Sequence, residues 1–379
     1  MFESIVSFIK ELYGTEKVPL HEPVFIGNEK KYLEECIDST FVSSVGKFVD
    51  EFEKKLATYT GSKFAVVTSN GTSALHMALV LADVKRSDLV ITQALSFIAT
   101  SNAISYTGAQ PLYIDVDEDT LGLSPAALRK FMETECKLVN GICIHTKSGR
   151  KISACVPMHT FGHPCRIEEI KDVCEEWKLP LIEDAAESIG STYNGQHTGT
   201  FGRIGTLSFN GNKTITSGGG GALITNSEEL AKRAKHLTTQ AKIPHAWEYG
   251  HDAVGYNYRM PNINAALALA QLEKLDVLIK NKREVSKQYD AFFKKTEISF
   301  FTEPAGAFSN YWLNAVMLKD KKERDNFLKV TNENGVMTRP VWNLLVKNEM
   351  YSHCINDGLK ISQKIENVLV NIPSSPVFK

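Results

Sequence analysis

The sequence has no long hydrophobic run and no strong excess of charge. Its 379 residues contain no stretch of about eighteen consecutive apolar residues, so no membrane span is predicted. Lys and Arg total 43 against 44 Asp and Glu, which leaves a formal net charge of −1 at pH 7. This balance excludes a global attraction to nucleic acid or to an anionic membrane. An anionic ligand must therefore be bound by local groups.

Closely spaced cysteine pairs are also missing. The seven cysteines are odd in number and include no C-x-x-C pair, which favours free thiols in a reducing compartment over a disulfide framework or a zinc site. Residues 1–13 carry Glu3 and Glu11 and have apolar residues at helical spacing, so they indicate an amphipathic helix and not a signal peptide. We expect a cytoplasmic protein with no bound metal and no nucleic-acid or membrane partner.

Short runs rich in Val and Ile alternate with segments of helical period between residues 60 and 235. This alternation predicts an α/β fold with a largely parallel sheet and helices on both faces. Strands are predicted at 64–68, 89–92, 111–115, 154–159, 179–183, 206–209 and 222–225. Helices are predicted at 72–81, 97–106, 125–133, 167–177 and 227–235. The dipeptides Asn140-Gly141 and Ser148-Gly149 indicate a hairpin or loop inserted at 138–151.

After Pro261 the pattern changes to one long helical stretch. It is followed by a predicted strand at 312–318, a helix at 321–334 and a strand at 336–341. A chain of this length is expected to form two domains. We predict a large α/β domain over residues 1–255, which includes the N-terminal segment, and a smaller α+β domain over 256–379.

The first candidate binding segment, residues 68–74, lies between a predicted strand and a predicted helix. Gly71 would let the backbone approach a ligand closely. Thr72 and its neighbours offer hydroxyls and free N–H groups at a helix N-terminus, which suit a phosphate. A simple Ser/Thr helix cap explains the same residues equally well.

The second segment, Glu183-Asp184-Ala185-Ala186-Glu187, begins at the carboxyl end of a predicted strand. Ligands of open α/β sheets collect at that end. Asp184 could pair there with a protonated pyridine nitrogen, an attraction of about 4 kcal/mol at ~4 Å for an effective dielectric near 20. A helix-capping carboxylate is the alternative.

The third segment, Ser208-Phe209-Asn210-Gly211-Asn212-Lys213, precedes a run of four glycines at 218–221. A lysine on a short turn after a strand can form an imine with an aldehyde, although a surface lysine in a glycine-rich turn is the commoner case. A phosphate cradle, a carboxylate and a lysine, each at a strand end of one sheet, together predict a site for pyridoxal 5'-phosphate (PLP). Lys213 would be its catalytic residue and would carry it as a Schiff base.

On these segments the chain resembles the sugar-nucleotide branch of the fold-type I aminotransferases, the DegT/DnrJ/EryC1/StrS family. The matching motifs are residues 69–75, residues 183–186, Ser208-Phe209 with Lys213, and Gly255-Tyr256-Asn257-Tyr258-Arg259-Met260. The resemblance covers nearly the whole chain. It implies a mainly parallel seven-stranded sheet with helices on both faces, followed by a smaller C-terminal α+β domain.

The resemblance also implies a role for individual residues. Cofactor contacts are implied for Gly71, Thr72, Phe97, Asp184, Glu187, Ser208, Asn210, Lys213 and Asn257. The phosphate would be held by Gly71, Thr72 and Ser208. Phe97 would stack on the cofactor ring, unless it lies in the core, and Glu187 occupies a position where many relatives have His or Gln. Asn257 matches a residue that reaches the phosphate from the neighbouring subunit, so a homodimer with composite sites is implied.

For the substrate, Leu20-His21-Glu22-Pro23 and the segments 42–46 and 338–342 resemble LegC-type enzymes. This implies transfer of an amino group from glutamate to C4 of a UDP-linked 4-keto-6-deoxy sugar, UDP-2-acetamido-2,6-dideoxy-4-keto-hexose. GDP-perosamine synthases share a similar lysine segment, and some sugar dehydratases share the fold but lack the lysine. A GDP-perosamine-type 4-aminotransferase and a PLP-dependent sugar dehydratase therefore remain alternatives.

Three residues are candidates for binding the substrate: His159, Arg259 and Arg339. Arg339 would contact the diphosphate, because a guanidinium is a planar donor suited to phosphate. His159 ends a predicted strand and could approach the cofactor or the sugar. An arginine that only packs between domains and a buried, hydrogen-bonded histidine are equally expected.

Overall fold

A central sheet organises the fold. The structure is a computed structural model that describes residues 2–378. The strands of the sheet are β1 (Phe64–Thr68), β2 (Leu89–Gln93), β3 (Gln110–Ile114), β4 (Ile152–Val156), β5 (Ile182–Asp184), β6 (Ile204–Ser208) and β7 (Gly221–Thr225). Their order is β3-β2-β4-β5-β6-β7-β1, with β4 joined to β5 by single parallel bridges. Only the pairings of β7 with β1 and β6 are antiparallel. The predicted, mainly parallel seven-stranded sheet is confirmed.

Helices surround this sheet. Within residues 2–378 the α-helices are α1 (Phe2–Tyr13), α2 (Glu29–Asp38), α3 (Lys47–Thr60), α4 (Gly71–Leu81), α5 (Ile98–Tyr106), α6 (Pro125–Glu135), α7 (Ile167–Glu176), α8 (Glu228–Thr238), α9 (Asn262–Leu272), α10 (Leu275–Phe293), α11 (Lys321–Glu333) and α12 (Lys360–Val368). The five helices predicted between residues 72 and 235 are confirmed as α4 to α8. Over the same described range, no helix is both long and apolar enough to cross a membrane.

Both faces of the sheet are buried. Ile224 of β7 belongs to an apolar cluster that includes Phe52 of α3 and Leu269 of α9. The preceding residue, Leu223, belongs to the opposite cluster, which includes Met77 of α4. Successive side chains of a strand point to opposite faces, and each fully buried aliphatic side chain contributes about 1.5–3 kcal/mol. Burial on two sides therefore explains why the strands are continuous apolar runs in the sequence.

Some segments differ from the sequence prediction. The inserted segment at 138–151 begins as a hairpin of two strands, Cys136–Val139 and Ile142–His145, turning at Asn140-Gly141. The long helical stretch after Pro261 is two helices, because Lys274 leaves helical geometry with φ −110° and ψ 1°. The strand predicted at 336–341 is reduced to Arg339–Pro340, where proline cannot donate a further ladder hydrogen bond.

A second, antiparallel sheet follows along the chain. Its strands are β8 (Ser299–Phe300), β9 (Asn314–Met317), β10 (Arg339–Pro340) and β11 (Leu369–Ile372), in the order β8-β9-β11-β10. Ile5 and Ile9 of α1 pack in one cluster with Phe327 and Val370, so the N-terminal helix covers C-terminal elements. Shorter ladders join Thr192–Tyr193 to Gln196–His197 and Ala307–Phe308, and Lys242–Ile243 to Gly250–His251. The boundary between two domains stays a prediction.

Lys282 of α10 is fully buried, and it offers a test of the packing of α10. Its Nζ donates to the backbone oxygens of Trp312 and Ser374, and burial lowers the pKa of Lys282 from 10.5 to about 7. Between those two values the unfolded chain holds a proton that the folded chain lacks. Folding stability therefore rises with pH in this range, by about 1.4 kcal/mol per pH unit.

We expect the free energy of unfolding of the wild type, minus that of Lys282→Met, to increase from pH 7 to pH 10. Urea unfolding at several pH values measures this difference. Lys287→Met is the matched control, because Lys287 lies on the same helix with 71% of its side chain exposed. A difference that stays constant with pH for Lys282→Met would contradict the buried, neutral state.

Candidate active site

The segment between β1 and α4 forms a tight cradle at the edge of a cavity. Asn70 caps α4 by accepting a hydrogen bond from the Ser73 backbone nitrogen at 2.8 Å. A Cβ atom on Gly71 would lie 2.8 Å from Cβ of Ser208, so only glycine fits between the helix and the end of β6. The first N–H groups of a helix have no intrahelical partner. Gly71 and Thr72 thus present free donors beside the Ser208 hydroxyl, which suits a phosphate.

Asp184 ends β5 and is held on both carboxylate oxygens. Its Oδ2 accepts from the Thr100 hydroxyl at 2.7 Å, and its Oδ1 accepts from the Ala186 backbone nitrogen at 3.2 Å. Only 2% of Asp184 is exposed, and burial raises the pKa of this carboxyl. A cation placed against Asp184 would oppose that shift, because it favours the ionised form.

Lys213 lies on the loop that follows β6 and lines the same cavity as the cradle. Its Nζ lies 3.1 Å from Oε1 of Glu187 and 3.7 Å from the ring centroid of Trp312. The side chain of Lys213 is 12% exposed. The amine is therefore enclosed but open to a ligand in the cavity.

Glu187 is the buried counter-charge of this lysine. Its Oε2 accepts from the Phe161 backbone nitrogen at 2.9 Å. Burial raises the pKa of Glu187 from 4.5 to about 7, and the Lys213 ammonium limits that rise. A carboxyl with a pKa near neutrality can gain or lose a proton under physiological conditions.

These groups line one cavity of about 630 Å³. The predicted site residues on its wall are Gly71, Thr72, Phe97, Asp184, Glu187, Ser208, Asn210, Lys213 and Arg339. Wall residues that the sequence did not indicate include Thr100, Met158, Trp312, Asn343 and Asn371. A larger groove of about 840 Å³ is lined by α6, by residues 145–148 at the end of the inserted segment and by residues 355–361, but none of the predicted residues lines it. We therefore place the site in the smaller cavity.

Phe97 and Arg339 lie on the wall of this cavity. Phe97 is 49% exposed, and its ring centroid is 6.3 Å from that of Trp342. The core alternative for Phe97 does not fit this exposure. Arg339 lies on β10, directly opposite Asn371 of β11, and donates to the Thr338 carbonyl at 3.2 Å. Arg339 is an exposed residue, and its guanidinium has further N–H donors for a ligand.

His159 lies outside the cavity wall. It is fully buried, and its Nε2 is 3.0 Å from Oε2 of Glu183. Burial lowers the pKa of His159, but its contacts with Cys165 and Glu183 outweigh this effect and raise the pKa to about 10. The geometry favours the alternative of a buried, hydrogen-bonded histidine over contact with the sugar.

Asn257 and Arg259 are also separate from this cavity. Asn257 is exposed and forms a backbone bridge with Thr239. Arg259 forms a bridge with Thr68 and lines another groove, together with Lys242. The family resemblance implies that Asn257 reaches the site of a neighbouring subunit, and its absence from the cavity wall of its own chain is compatible with that expectation.

The arrangement fits PLP. A phosphate fits the donors at the α4 N-terminus, where any Cβ at residue 71 would fill the cradle. Asp184 is a buried carboxylate suited to a ring cation, and Lys213 is an amine within the same cavity. Phe97 offers an exposed ring on the wall. The residues present are those that the chemistry of this cofactor requires.

Comparison with known proteins gives the same result. A profile of the DegT/DnrJ/EryC1/StrS aminotransferase family matches residues 25–379. The chain is 37% identical to the GDP-perosamine synthase of Escherichia coli O157:H7, over 95% of this chain and 93% of the relative. It is 37% identical to the putative pyridoxal phosphate-dependent aminotransferase EpsN of Bacillus subtilis, over 86% of this chain and 82% of the relative.

A solved structure shares this fold as well. The aminotransferase TlmJ from Streptoalloteichus hindustanus matches with a TM-score of 0.85 and 26% identity, covering 94% of this chain and 93% of that chain. The chain therefore belongs to the DegT/DnrJ/EryC1/StrS family and is a PLP-dependent sugar aminotransferase of fold type I.

Proposed function

We propose that the protein transfers an amino group from glutamate to C4 of a nucleotide-linked 4-keto-6-deoxy sugar. The observation that carries this proposal is that Lys213 and Asp184 lie on the wall of one cavity. A lysine amine and a buried carboxylate in that arrangement fit transamination better than dehydration, for which the lysine is dispensable. The conserved chemistry of the family supplies the general reaction, and the wall residues select the substrate.

PLP supplies an aldehyde that accepts the amine and a ring that withdraws electrons from the reacting carbon. Asp184 would place a negative charge against the ring nitrogen and would favour its protonated form. Lys213 would carry a proton from the α-carbon of glutamate to the cofactor in the first half-reaction. In the second half-reaction it would deliver a proton to C4 of the sugar. The loop after β6 places this amine on the cavity wall, 3.1 Å from Oε1 of Glu187.

The other wall residues bind and orient the reactants. Gly71, Thr72 and Ser208 hold the phosphate, and Asn210 lies beside them on the cavity wall. Phe97, on the cavity wall, would cover one face of the ring and would limit access of water. Binding these groups before reaction fixes the lysine and the substrate carbon within reach of each other.

For the nucleotide we propose UDP and for the sugar an N-acetylhexosamine, UDP-2-acetamido-2,6-dideoxy-4-keto-hexose. Leu20 and residues 339–342, from the segments that resemble LegC-type enzymes, lie on the cavity wall. The second candidate is a GDP-linked sugar. Three relatives named GDP-perosamine synthase, 35–37% identical over 94–95% of this chain, favour it.

A product screen tests the proposal. Purified enzyme is incubated with glutamate and with either UDP- or GDP-linked 4-keto-6-deoxy sugars, and the products are identified by mass and by NMR of the C4 proton. We expect 2-oxoglutarate and a 4-amino sugar with the UDP-linked substrate. Amination of the GDP-linked sugar alone would establish the second candidate, and a dehydrated product without 2-oxoglutarate would overturn amino transfer.

Arg339→Met should weaken binding of the nucleotide sugar. Loss of a charge-assisted hydrogen bond costs about 1.5–3 kcal/mol, so KM for the keto sugar should rise on the order of tenfold to a hundredfold. The reaction with glutamate alone should keep its rate, because glutamate carries no diphosphate. Steady-state kinetics with each substrate varied in turn measures both effects.

Arg129→Met is the matched control, because Arg129 pairs with Glu176 at the surface outside the cavity. It should leave both KM values unchanged. Equal rises in KM for glutamate and for the keto sugar in Arg339→Met would contradict the assignment of Arg339 to the nucleotide.

We further propose a homodimer in which Asn257 reaches the phosphate of the partner's cofactor. The exposed fractions of Trp247, Tyr249 and Val254 are 78%, 83% and 83%, a solvent exposure that large apolar side chains seldom keep in an assembled protein. These residues precede Asn257 along the chain. Light scattering coupled to gel filtration tests the dimer, and a PLP affinity unchanged by Asn257→Ala would contradict the shared site.

A further inference from the structure

Two groups of the protein itself form walls around the Lys213 amine, without any ligand. One wall is the Glu187 carboxylate, 3.1 Å from Nζ, and the other is the face of the Trp312 indole, whose centroid is 3.7 Å from Nζ. A cation within about 6 Å of an aromatic centroid is attracted to the ring, and the attraction grows when water is excluded. Trp312 is 4% exposed, so this contact is largely shielded from solvent.

The indole is fixed from several directions. Its Nε1 donates to the carbonyl of Asn212 at 2.7 Å, which ties the ring to the residue before Lys213. The backbone nitrogen of Trp312 donates to Oδ1 of Asn310 at 2.8 Å, and the backbone oxygen of Trp312 accepts from Lys282 at 3.2 Å. Rotation of the ring would therefore break its hydrogen bond to Asn212, and leaving a buried donor unpaired costs about 1–3 kcal/mol. The two backbone hydrogen bonds fix the position of residue 312 in the chain.

Asn310 also holds the segment that carries Glu187, the other wall. Its Nδ2 donates to the carbonyls of Glu187 and Ile189, both at 2.9 Å. One fully buried amide thus links the backbone of Glu187 to the backbone of Trp312. The walls are rigid, whereas the lysine side chain has four rotatable carbons.

We propose that Glu187 and Trp312 form a receiving site for the Lys213 ammonium, and that Trp312 is a positioning residue that holds this side chain whenever it is not bonded to the cofactor. This inference rests on the proposed role of Lys213. The receiving site keeps the amine inside the cavity. There it stays close to the substrate carbon with which it would exchange a proton. It also gives the released charge a partner, so that the ammonium does not have to be stabilised by water.

The charged and titratable groups that face Lys213 are Glu187, Asp184 and His21. Burial raises the pKa of both carboxyls, and burial together with Lys282 and Lys213 lowers the pKa of His21. The uncharged histidine adds no competing cation, whereas the Glu187 anion and the indole face both favour the ammonium.

The test follows the amine of Lys213 in the cofactor-free protein. Lysines are dimethylated briefly with formaldehyde and cyanoborohydride over a range of pH, and the modified fraction at Lys213 is read by peptide mass spectrometry with exposed Lys287 as internal reference. Access changes the rate of labelling, whereas the pH at half-maximal labelling reports how strongly the protein holds the ammonium. The readout is independent of amino transfer, so the proposed function can fail while this test still decides.

In Trp312→Leu we expect the half-maximal pH at Lys213 to fall by about one unit, which raises labelling at neutral pH on the order of tenfold. Trp312→Phe keeps a ring, so its half-maximal pH should lie between that of Trp312→Leu and that of the wild type. An unchanged half-maximal pH in Trp312→Leu would overturn the proposal, and so would a Phe variant that behaves like the Leu variant.

Because Trp312→Leu could disturb the loop, a second measurement leaves the indole in place. Lys213→Met removes the cation but keeps an unbranched side chain of similar length. We expect its tryptophan emission to differ from that of the wild type, with far-UV circular dichroism unchanged. Identical emission in the two proteins would show that no ammonium lies on the ring and would overturn the proposal.

Discussion

Replacement of Lys213 by alanine should abolish amino transfer, with a loss of rate greater than the roughly 10²–10⁴ that a positioned general acid–base contributes. The larger loss is expected because Lys213→Ala removes the covalent link to PLP as well as the proton carrier. Its amine lies on the wall of the same cavity as Asp184 and the phosphate cradle. Formation of 2-oxoglutarate from glutamate is the measurement, and mass analysis after borohydride reduction shows whether residue 213 carries the cofactor.

Lys232→Ala serves as the matched control. Lys232 is 75% exposed on α8 and pairs with Glu228, so its loss should leave both measurements as in the wild type. A Lys213→Ala protein that still turned over glutamate at a rate near the wild type would exclude this lysine as the catalytic residue. Borohydride labelling at a different lysine would exclude it as well.

The three segments that form the core of the site could be predicted because each lies at or just after the carboxyl end of a strand. Strands buried on both faces are readable as apolar runs, so the positions of Asn70, Asp184 and Lys213 relative to the sheet follow from local sequence. Parallel strands bring their carboxyl ends to the same edge. The sequence therefore predicted that these residues meet, and the structure places Asp184 and Lys213 in one cavity.

The remaining wall residues could not be predicted, because their contacts are distant along the chain. Trp312 lies about a hundred residues beyond Lys213 and reads in sequence only as the start of a strand. Thr100 reads as an ordinary helical residue, and nothing in its neighbourhood points to Asp184. The hydrogen bonding of His159 could not be predicted either, because its partner Glu183 lies on the next strand of the sheet. Periodicity gives the face of an element, but not which polar group lies opposite.

Asp184→Asn should lower the rate of amino transfer by about a thousandfold. Two unit charges at ~4 Å attract by about 4 kcal/mol at an effective dielectric near 20, and each 1.36 kcal/mol is a factor of about ten in rate. Asparagine keeps the size of the side chain but removes the charge, so the ring nitrogen would lose its proton and the ring its pull on electrons. The rate of the half-reaction with glutamate measures the effect, and Asp276→Asn, at an exposed aspartate bonded to Tyr59, is the control.

Thr100→Val separates the charge of Asp184 from its position. Thr100 donates to Oδ2 of Asp184 at 2.7 Å, and loss of a hydrogen bond to a charged group costs about 1.5–3 kcal/mol, so the single variant should be slower by on the order of tenfold to a hundredfold. In the Asp184→Asn background the same change should have little further effect, because Thr100 acts only through the carboxylate. If the two substitutions lowered the rate by independent factors that multiply in the double variant, Thr100 would act on the reactants directly and not through the carboxylate.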